Sequence, residues 1–280
     1  MSSFIQIPSN LVNLSTRSKF KELYAYLLIR NQIKDNSYKA SIPEEELASL
    51  LDTTKRTVVT YIADLKPYFE NITLVKDKGK YPYNVYHSVR LDKDYSIVLP
   101  EIIKDTDLTA EQKGILIKIK LICEKGTNFI KFGTKKELAK LIGISKNQFT
   151  AKLKPLLDKG YLRYINNSLH LNPTYFPLSL KMDDSYSGFL NQIYLVIYQF
   201  CFDNNICPPL KDNKALSYLT GKYIKVDDLI KDMKYRCNNL PKDISLDYFV
   251  KALENKKIVR ENEEDKLELD FLKINNEGYF

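Results

Sequence analysis

The chain has 280 residues, 44% hydrophobic and 28% charged, with a formal net charge of +8. That length suits two or three small domains with separate cores rather than one large fold. The longest apolar run, FLNQIYLVIYQFCF from Phe189, is interrupted by Asn191, Gln192 and Gln199, which excludes a membrane span.

The positive charge is uneven. Met1 to Leu180 carries 28 Lys plus Arg against 18 Asp plus Glu, a net of +10, whereas Lys181 to Phe280 carries 15 against 17. An acidic partner is therefore expected for the first part. Cys123, Cys201, Cys207 and Cys237 form no CxxC pair, and with only His87 and His170 there is no zinc-ligand spacing. Reduced core thiols, a cytoplasmic location and no metal or cofactor are expected, since MSSFIQIPSN lacks a secretory layout.

In chain order, FIQIPSNLV at Phe4 is an extended segment ending near a proline, followed by a helix-period run from Ser18 with Leu23 and Leu27 on its buried stripe. SYKASI at Ser37 is a short strand. A short helix then carries Leu47, Leu50 and Leu51 as core positions, with Ala48 where two helices approach. Asp52 sits in the turn and Thr54 is placed to cap the next helix, where Val58, Ile62 and Leu65 form a buried face. Two strands surround Asp77-Lys78-Gly79-Lys80.

The whole order returns about 91 residues later. YSIVLPEII at Tyr95 is extended, the run from Thr109 has Ile115 and Ile119 inward, and NFIKFG at Asn128 is a strand. ELAKLIGISKNQFTAKLKPL from Glu137 repeats ELASLLDTTKRTVVTYIADL from Glu46. Leu138, Leu141 and Ile142 take the leucine positions and Ala139 the close approach. Gly143 suits a left-handed turn, Ser145 is the cap, and Phe149, Leu153 and Leu156 face the core. Asn166-Asn167 makes a two-residue hairpin connection. Helix, strand, helix, turn, helix and hairpin describe a winged helix-turn-helix, so the fold class is mainly α with small β-hairpins (α+β). The predicted domains are 1–92 and 93–180 as tandem winged helices and 181–280 as a mostly helical third.

A helix fits the major groove of DNA, and this motif offers the first turns of its second helix to base edges. Those turns carry Thr54, Lys55, Arg56, Thr57, Thr60 and Tyr61 in the first copy, and Ser145, Lys146, Asn147, Gln148, Thr150 and Lys152 in the second. Arg56, Asn147 and Gln148 have the bidentate chemistry that reads guanine or adenine, while Lys and Thr suit phosphate. Lys76, Lys78 and Lys80, beside Tyr81 and Tyr83, form a phosphate-gripping wing, and Arg163 is the candidate on the second wing. His87 and His170 lie in strand patterns and are expected as packed imidazoles.

The stretches FIQIPSNLVNLSTRSKFKELYAYLLIR, EEELASLLDTTKRTVVTYIADL and NVYHSVRL resemble the N-terminal winged helix of plasmid and phage replication initiators and of the related primosome-loading proteins of low-GC bacteria. The resemblance covers Phe4 to Leu91, with a weaker echo from Tyr95 to Pro173. It implies sequence-specific binding of double-stranded origin DNA as a homodimer, with the recognition helix at Thr54 to Asp64. Initiators of this kind usually join one such domain to a different C-terminal module, whereas this chain duplicates it.

After Lys181, LKMDDSYSG reads as a linker, and helices are expected at FLNQIYLVIYQFCF, VDDLIKDMKYRC and SLDYFVKALENKKIV. A hairpin-like tail carrying Glu261, Glu263, Glu264 and Asp265 would make this a third, degenerate winged helix, repelled by phosphate and suited to self-association or to replication or transcription proteins. Three other readings compete with an initiator: a transcriptional regulator, a protein-protein adaptor, and an enzyme acting on nucleic acid. The only tight Asp pairs, Asp183-Asp184 and Asp227-Asp228, read as linker and helix N-terminus, so no catalytic residue is expected.

Overall fold

The computed structural model describes residues 4–14, 19–33, 37–76, 83–91, 94–124, 126–178 and 186–254. The first repeat runs β1 (Ile5–Pro8), a 3-10 turn (Ser9–Leu14), α1 (Phe20–Asn31), β2 (Lys39–Ser41), α2 (Glu44–Leu50), α3 (Lys55–Leu65), a second 3-10 turn (Lys66–Tyr68), β3 (Asn71–Val75) and β4 (Tyr83–His87). The second runs β5 (Tyr95–Val98), α4 (Glu101–Lys104), α5 (Ala110–Ile122), β6 (Phe129–Lys131), α6 (Lys135–Ile142), α7 (Lys146–Asp158), β7 (Leu162–Ile165) and β8 (Ser168–Leu171). This is a mixed α+β arrangement in which the strands form small antiparallel sheets of order β2-β4-β3 and β6-β8-β7.

The second hairpin follows from local chemistry. Asn166 and Asn167 take φ of 46° and 56°, the two positive values that a two-residue connection between twisted strands needs. The 76–82 connection of the first hairpin leaves Val75 opposite Tyr83.

Pairing between the repeats was not visible in either one alone. β1 and β5, equivalent segments, form their own antiparallel sheet, with Ile5 opposite Val98, Gln6 opposite Ile97, Ile7 opposite Ser96 and Pro8 opposite Tyr95. Gln6 and Ile97 are equivalent positions under the 91-residue shift. A register centred on an equivalent pair relates the two strands by a local two-fold.

Below this sheet α1 packs against α5. Leu23, Leu27, Ile115 and Ile119 are buried as expected, but the burial extends around α1 to Tyr24, Tyr26, Leu28 and Ile29, because the helix is covered by both repeats. One continuous apolar cluster runs from Ile5 to Phe176, and each large aliphatic side chain in it contributes about 1.5–3 kcal/mol. The expected boundary between 92 and 93 therefore does not separate two cores. The compact units are Met1–Asp183 and Asp184–Phe280.

Lysines on α5 are also drawn into this interior. Lys118 Nζ donates to the Val12 carbonyl of the other repeat at 2.6 Å, and Lys120 Nζ to Asn128 Oδ1 at 2.5 Å. Burial lowers both ammonium groups to about 8. His170 is fully buried beside the Phe129 ring, and burial lowers it to about 4. His87 is half-buried, its Nε2 3.2 Å from Thr73 Oγ1, so both imidazoles are packed.

Two leucines depart from expectation. Leu50 and Leu141 are 41% and 43% exposed, because Leu47 and Leu51, like Leu138 and Ile142, make the inward i, i+4 stripe and leave the residue between them on its outer flank.

The second unit contains α8 (Tyr186–Asp203), α9 (Asn213–Lys222), α10 (Val226–Arg236) and α11 (Leu246–Glu254). Ser187 and Gly188, read as linker, belong to the first turn of α8, and α9 was not expected. Asp227 and Asp228 occupy the first turn of α10. The acidic hairpin lies outside the described residues, as do Asp183 and Asp184. Among the described residues no helix is long and apolar enough to cross a membrane.

The seam leaves no room at Gly114, where an added Cβ would lie 1.9 Å from the Phe20 carbonyl oxygen and 2.4 Å from its carbon. Gly114→Ala should lower unfolding free energy by about 3 kcal/mol in urea titrations, because backbone rather than a movable side chain must yield. An unchanged midpoint would mean that α1 and α5 do not approach this closely.

Candidate nucleic-acid interface

The turn between the two short helices is built the same way twice. The Thr53 amide returns to the Ala48 carbonyl at 3.0 Å, and its equivalent, Ile144, returns to Ala139 at 2.9 Å. Asp52 and Gly143 adopt φ of 48° and 86° at the equivalent turn position, the left-handed conformation that closes a helix. Thr54 then caps α3, its side chain accepting from the Thr57 amide at 3.3 Å. Ser145 occupies the N-cap position of α7, but its hydroxyl turns to Gln148 Oε1 at 3.2 Å and makes no backbone cap.

Beyond each turn the helix buries one face. Val58 and Leu65 in α3, and Phe149, Leu153 and Leu156 in α7, are buried, while Ile62 is half-buried. The opposite edge is open: Thr54, Lys55, Arg56 and Thr60 are exposed in the first repeat, and Ser145, Lys146, Asn147, Gln148 and Thr150 in the second. Thr57 is half-buried, with its hydroxyl 3.0 Å from that of Thr54.

Two expected contact residues belong instead to the seam between repeats. Tyr61 and Lys152 are equivalent positions, each three residues beyond the buried Val58 or Phe149, and so follow the inward stripe. Lys152 pairs with Glu111 and lies over the Phe20 ring, 5.4 Å from its centroid. Tyr61 is half-buried, and burial, followed by the charges of Glu22 and Glu111, raises its hydroxyl above the ordinary range. The i, i+3, i+4 geometry of the packed face draws both from the open edge.

Lys55 is exposed but not electrostatically free. Its Nζ lies 2.5 Å from Glu45 Oε1 and 3.7 Å from Glu44 Oε2, and the hydrogen bond to Glu45 holds the ammonium above its usual range. Lys76 is exposed at the end of β3, and Tyr83 is half-buried on β4. Lys78, Lys80 and Tyr81 lie outside the described residues. Arg163 is half-buried on β7, opposite His170.

The apolar repeat points to α3 and α7 and carries no sign of charges on the helices before them. Lys135, Lys136 and Lys140 on α6 are exposed around the same turn, at positions equivalent to Glu44, Glu45 and Ser49. Aligning charges as well as apolar residues would have found them. Among the described residues no group of three His, Cys, Asp or Glu side chains is placed to hold a metal ion.

Compared with protein-family models, curated proteins and solved structures, the chain matches none.

Behind α3, Lys19 Nζ is 2.6 Å from Asp64 Oδ2 and 3.7 Å from Glu22 Oε1. Glu22 is 3% exposed, and desolvation outweighs Lys19 to raise its carboxyl to about 7. A native acid above its unfolded value favours the fold while protonated. That advantage is full at pH values below the unfolded pKa and is lost as pH rises towards 7, an effect of up to about 3 kcal/mol. Glu22→Gln should therefore exceed the parent in stability by about 2 kcal/mol at pH 8, with the difference shrinking towards zero near pH 4.5 in paired urea titrations. A pH-independent difference would rule out titration of this carboxyl.

Proposed function

We propose that the two repeats are winged helices and that the chain is a sequence-specific binder of duplex DNA, serving as a replication initiator of a plasmid, phage or other mobile element. The supporting observation is the open edge of α3 and α7: two equivalent helices leave identically closed turns, bury one face and expose the donors of their first turns. Arg56 has the fork that pairs with guanine O6 and N7, and Asn147 and Gln148 have the amide chemistry that pairs with adenine. The exposed lysines and threonines around them suit phosphate oxygens.

The centred register of β1 and β5 supports a further element of this reading. Dimeric readers present two equivalent helices to two half-sites through a two-fold between chains. Here a local two-fold relates β1 and β5 within one chain, and copies arranged about it would let a single molecule offer both helices.

The initiator role rests on the resemblance of Phe4 to Leu91, and the second unit is the proposed docking part for replication proteins. Its surface carries exposed Leu210, Tyr218, Ile224, Tyr235 and Tyr248, apolar groups of the kind enriched at protein contacts.

Selection from random duplex DNA should return a defined site, and Arg56→Ala or Asn147→Ala should each erase preference at its own base, at about 1–3 kcal/mol per contact. Failure to enrich any sequence would defeat the specific-binding reading. If the selected site alters transcription of a linked promoter but supports no plasmid replication when the protein is supplied, the initiator role falls and a regulator stands in its place.

A further inference from the structure

We infer that the two repeats divide their work on DNA: the α6–α7 edge of the second grips phosphate, and the α2–α3 edge of the first does not. The inference rests on the duplex-binding reading above and names the residues that would supply its affinity.

Equivalent stretches differ sharply in charge. Residues 44–65 carry two Lys plus Arg against five Asp plus Glu, whereas residues 135–156 carry six against one. At matched positions Glu44, Glu45, Ser49 and Lys55 face Lys135, Lys136, Lys140 and Lys146.

The structure sharpens that contrast. In the first repeat Lys55 is held by Glu45 and Glu44, and Glu44 also accepts from Asn84 Nδ2 at 2.9 Å, so Lys55 is neutralised internally and the other cation of this edge is the exposed Arg56, the proposed guanine reader. A phosphate approaching it meets two carboxylates and must displace an existing pair. In the second repeat Lys135, Lys136, Lys140 and Lys146 are all exposed, and none has an acidic partner among the described residues. The lone acid, Glu137, is turned back on the chain, its Oε2 accepting from the Gly133 amide at 3.0 Å. Lys136 and Lys140 are four residues apart and share one face of α6. Lys140 in turn lies in the last turn of that helix, just before the Gly143 turn that leads to Lys146.

The position of three of these lysines is itself unfavourable for folding. Lys135 and Lys136 lie in the first turn of α6 and Lys146 in that of α7, next to the positive ends of helix dipoles, where carboxylates are the stabilising choice. α2 has that choice three times, with Glu44, Glu45 and Glu46 in its first turn, whereas α6 has it once, at Glu137. Among the described residues these three cations have no acidic partner, but a nucleic-acid phosphate would complement both the ammonium groups and the helix ends.

The test uses the full chain and a labelled mixed-sequence DNA duplex, with Kd measured over a salt series. Lys135→Ala with Lys136→Ala should weaken binding on the order of tenfold and reduce the slope of log K against log salt by about 2, and Lys146→Ala should reduce it by about 1. Neither variant should melt below the parent, since each removes a charge that opposes a helix dipole. Glu44→Ala with Glu45→Ala should leave binding equal or tighter. If the parent binds with a salt slope that the three lysine substitutions do not change, the division of work is overturned while duplex binding stands. Weakening by the Glu44 and Glu45 pair equal to that from the lysine pair would also overturn it. A parent whose affinity is flat in salt removes the duplex reading itself, and this inference with it.

Discussion

The first unit depends on the joining of equivalent segments across its centre. β1 pairs with β5 in a register centred on Gln6 and Ile97, and α1 packs on α5 beneath them. The first helix of each repeat is covered in part by that of the other, within one continuous apolar cluster. Tyr26 is covered by Phe69 of its own repeat, whereas Tyr24 on another side of α1 is met by Lys113 of the second. Folding of one repeat is thus tied to the presence of the other, and Gly114 against the Phe20 backbone shows how closely the two must meet.

This seam also sets which side chains remain for a partner. Tyr61 and Lys152 lie on the recognition helices of the proposed winged helices, yet both turn inward to a cluster that includes Glu22, Glu111 and Phe20. The open edge is left with short and uncharged groups, Arg56, Lys146 and, in the first repeat, a lysine already occupied by Glu45. Two copies with nearly the same apolar skeleton therefore present unlike surfaces. Packing constrains the buried positions of both in the same way, whereas positions outside the core are free to diverge, and the charge contrast between α2 and α6 lies on such positions, Glu44 half-buried and the others exposed.

For the duplex-binding role proposed above, divergence of this kind is physically economical, since such a role requires both holding DNA and selecting a site. Phosphate grip can come from one edge, through charges that are not neutralised within the chain, and base discrimination from amide and guanidinium groups on either. The helical second unit has near-neutral composition and exposed tyrosines, a surface unlike that of the lysine-bearing edge.

Much of the local architecture was determined by sequence alone. The left-handed turns at Asp52 and Gly143, the Thr54 cap, the Asn166-Asn167 connection and the buried faces of α3 and α7 all follow from backbone sterics and hydrophobic period, which act over a few residues. Tertiary structure decided the rest. The partnership of β1 with β5, the all-round burial of α1, the exposure of Leu50 and Leu141, the inward turn of Lys152 and the capture of Lys55 by Glu45 depend on which surfaces meet. Those meetings join residues distant along the chain or on neighbouring elements, where neither helical period nor turn chemistry carries information.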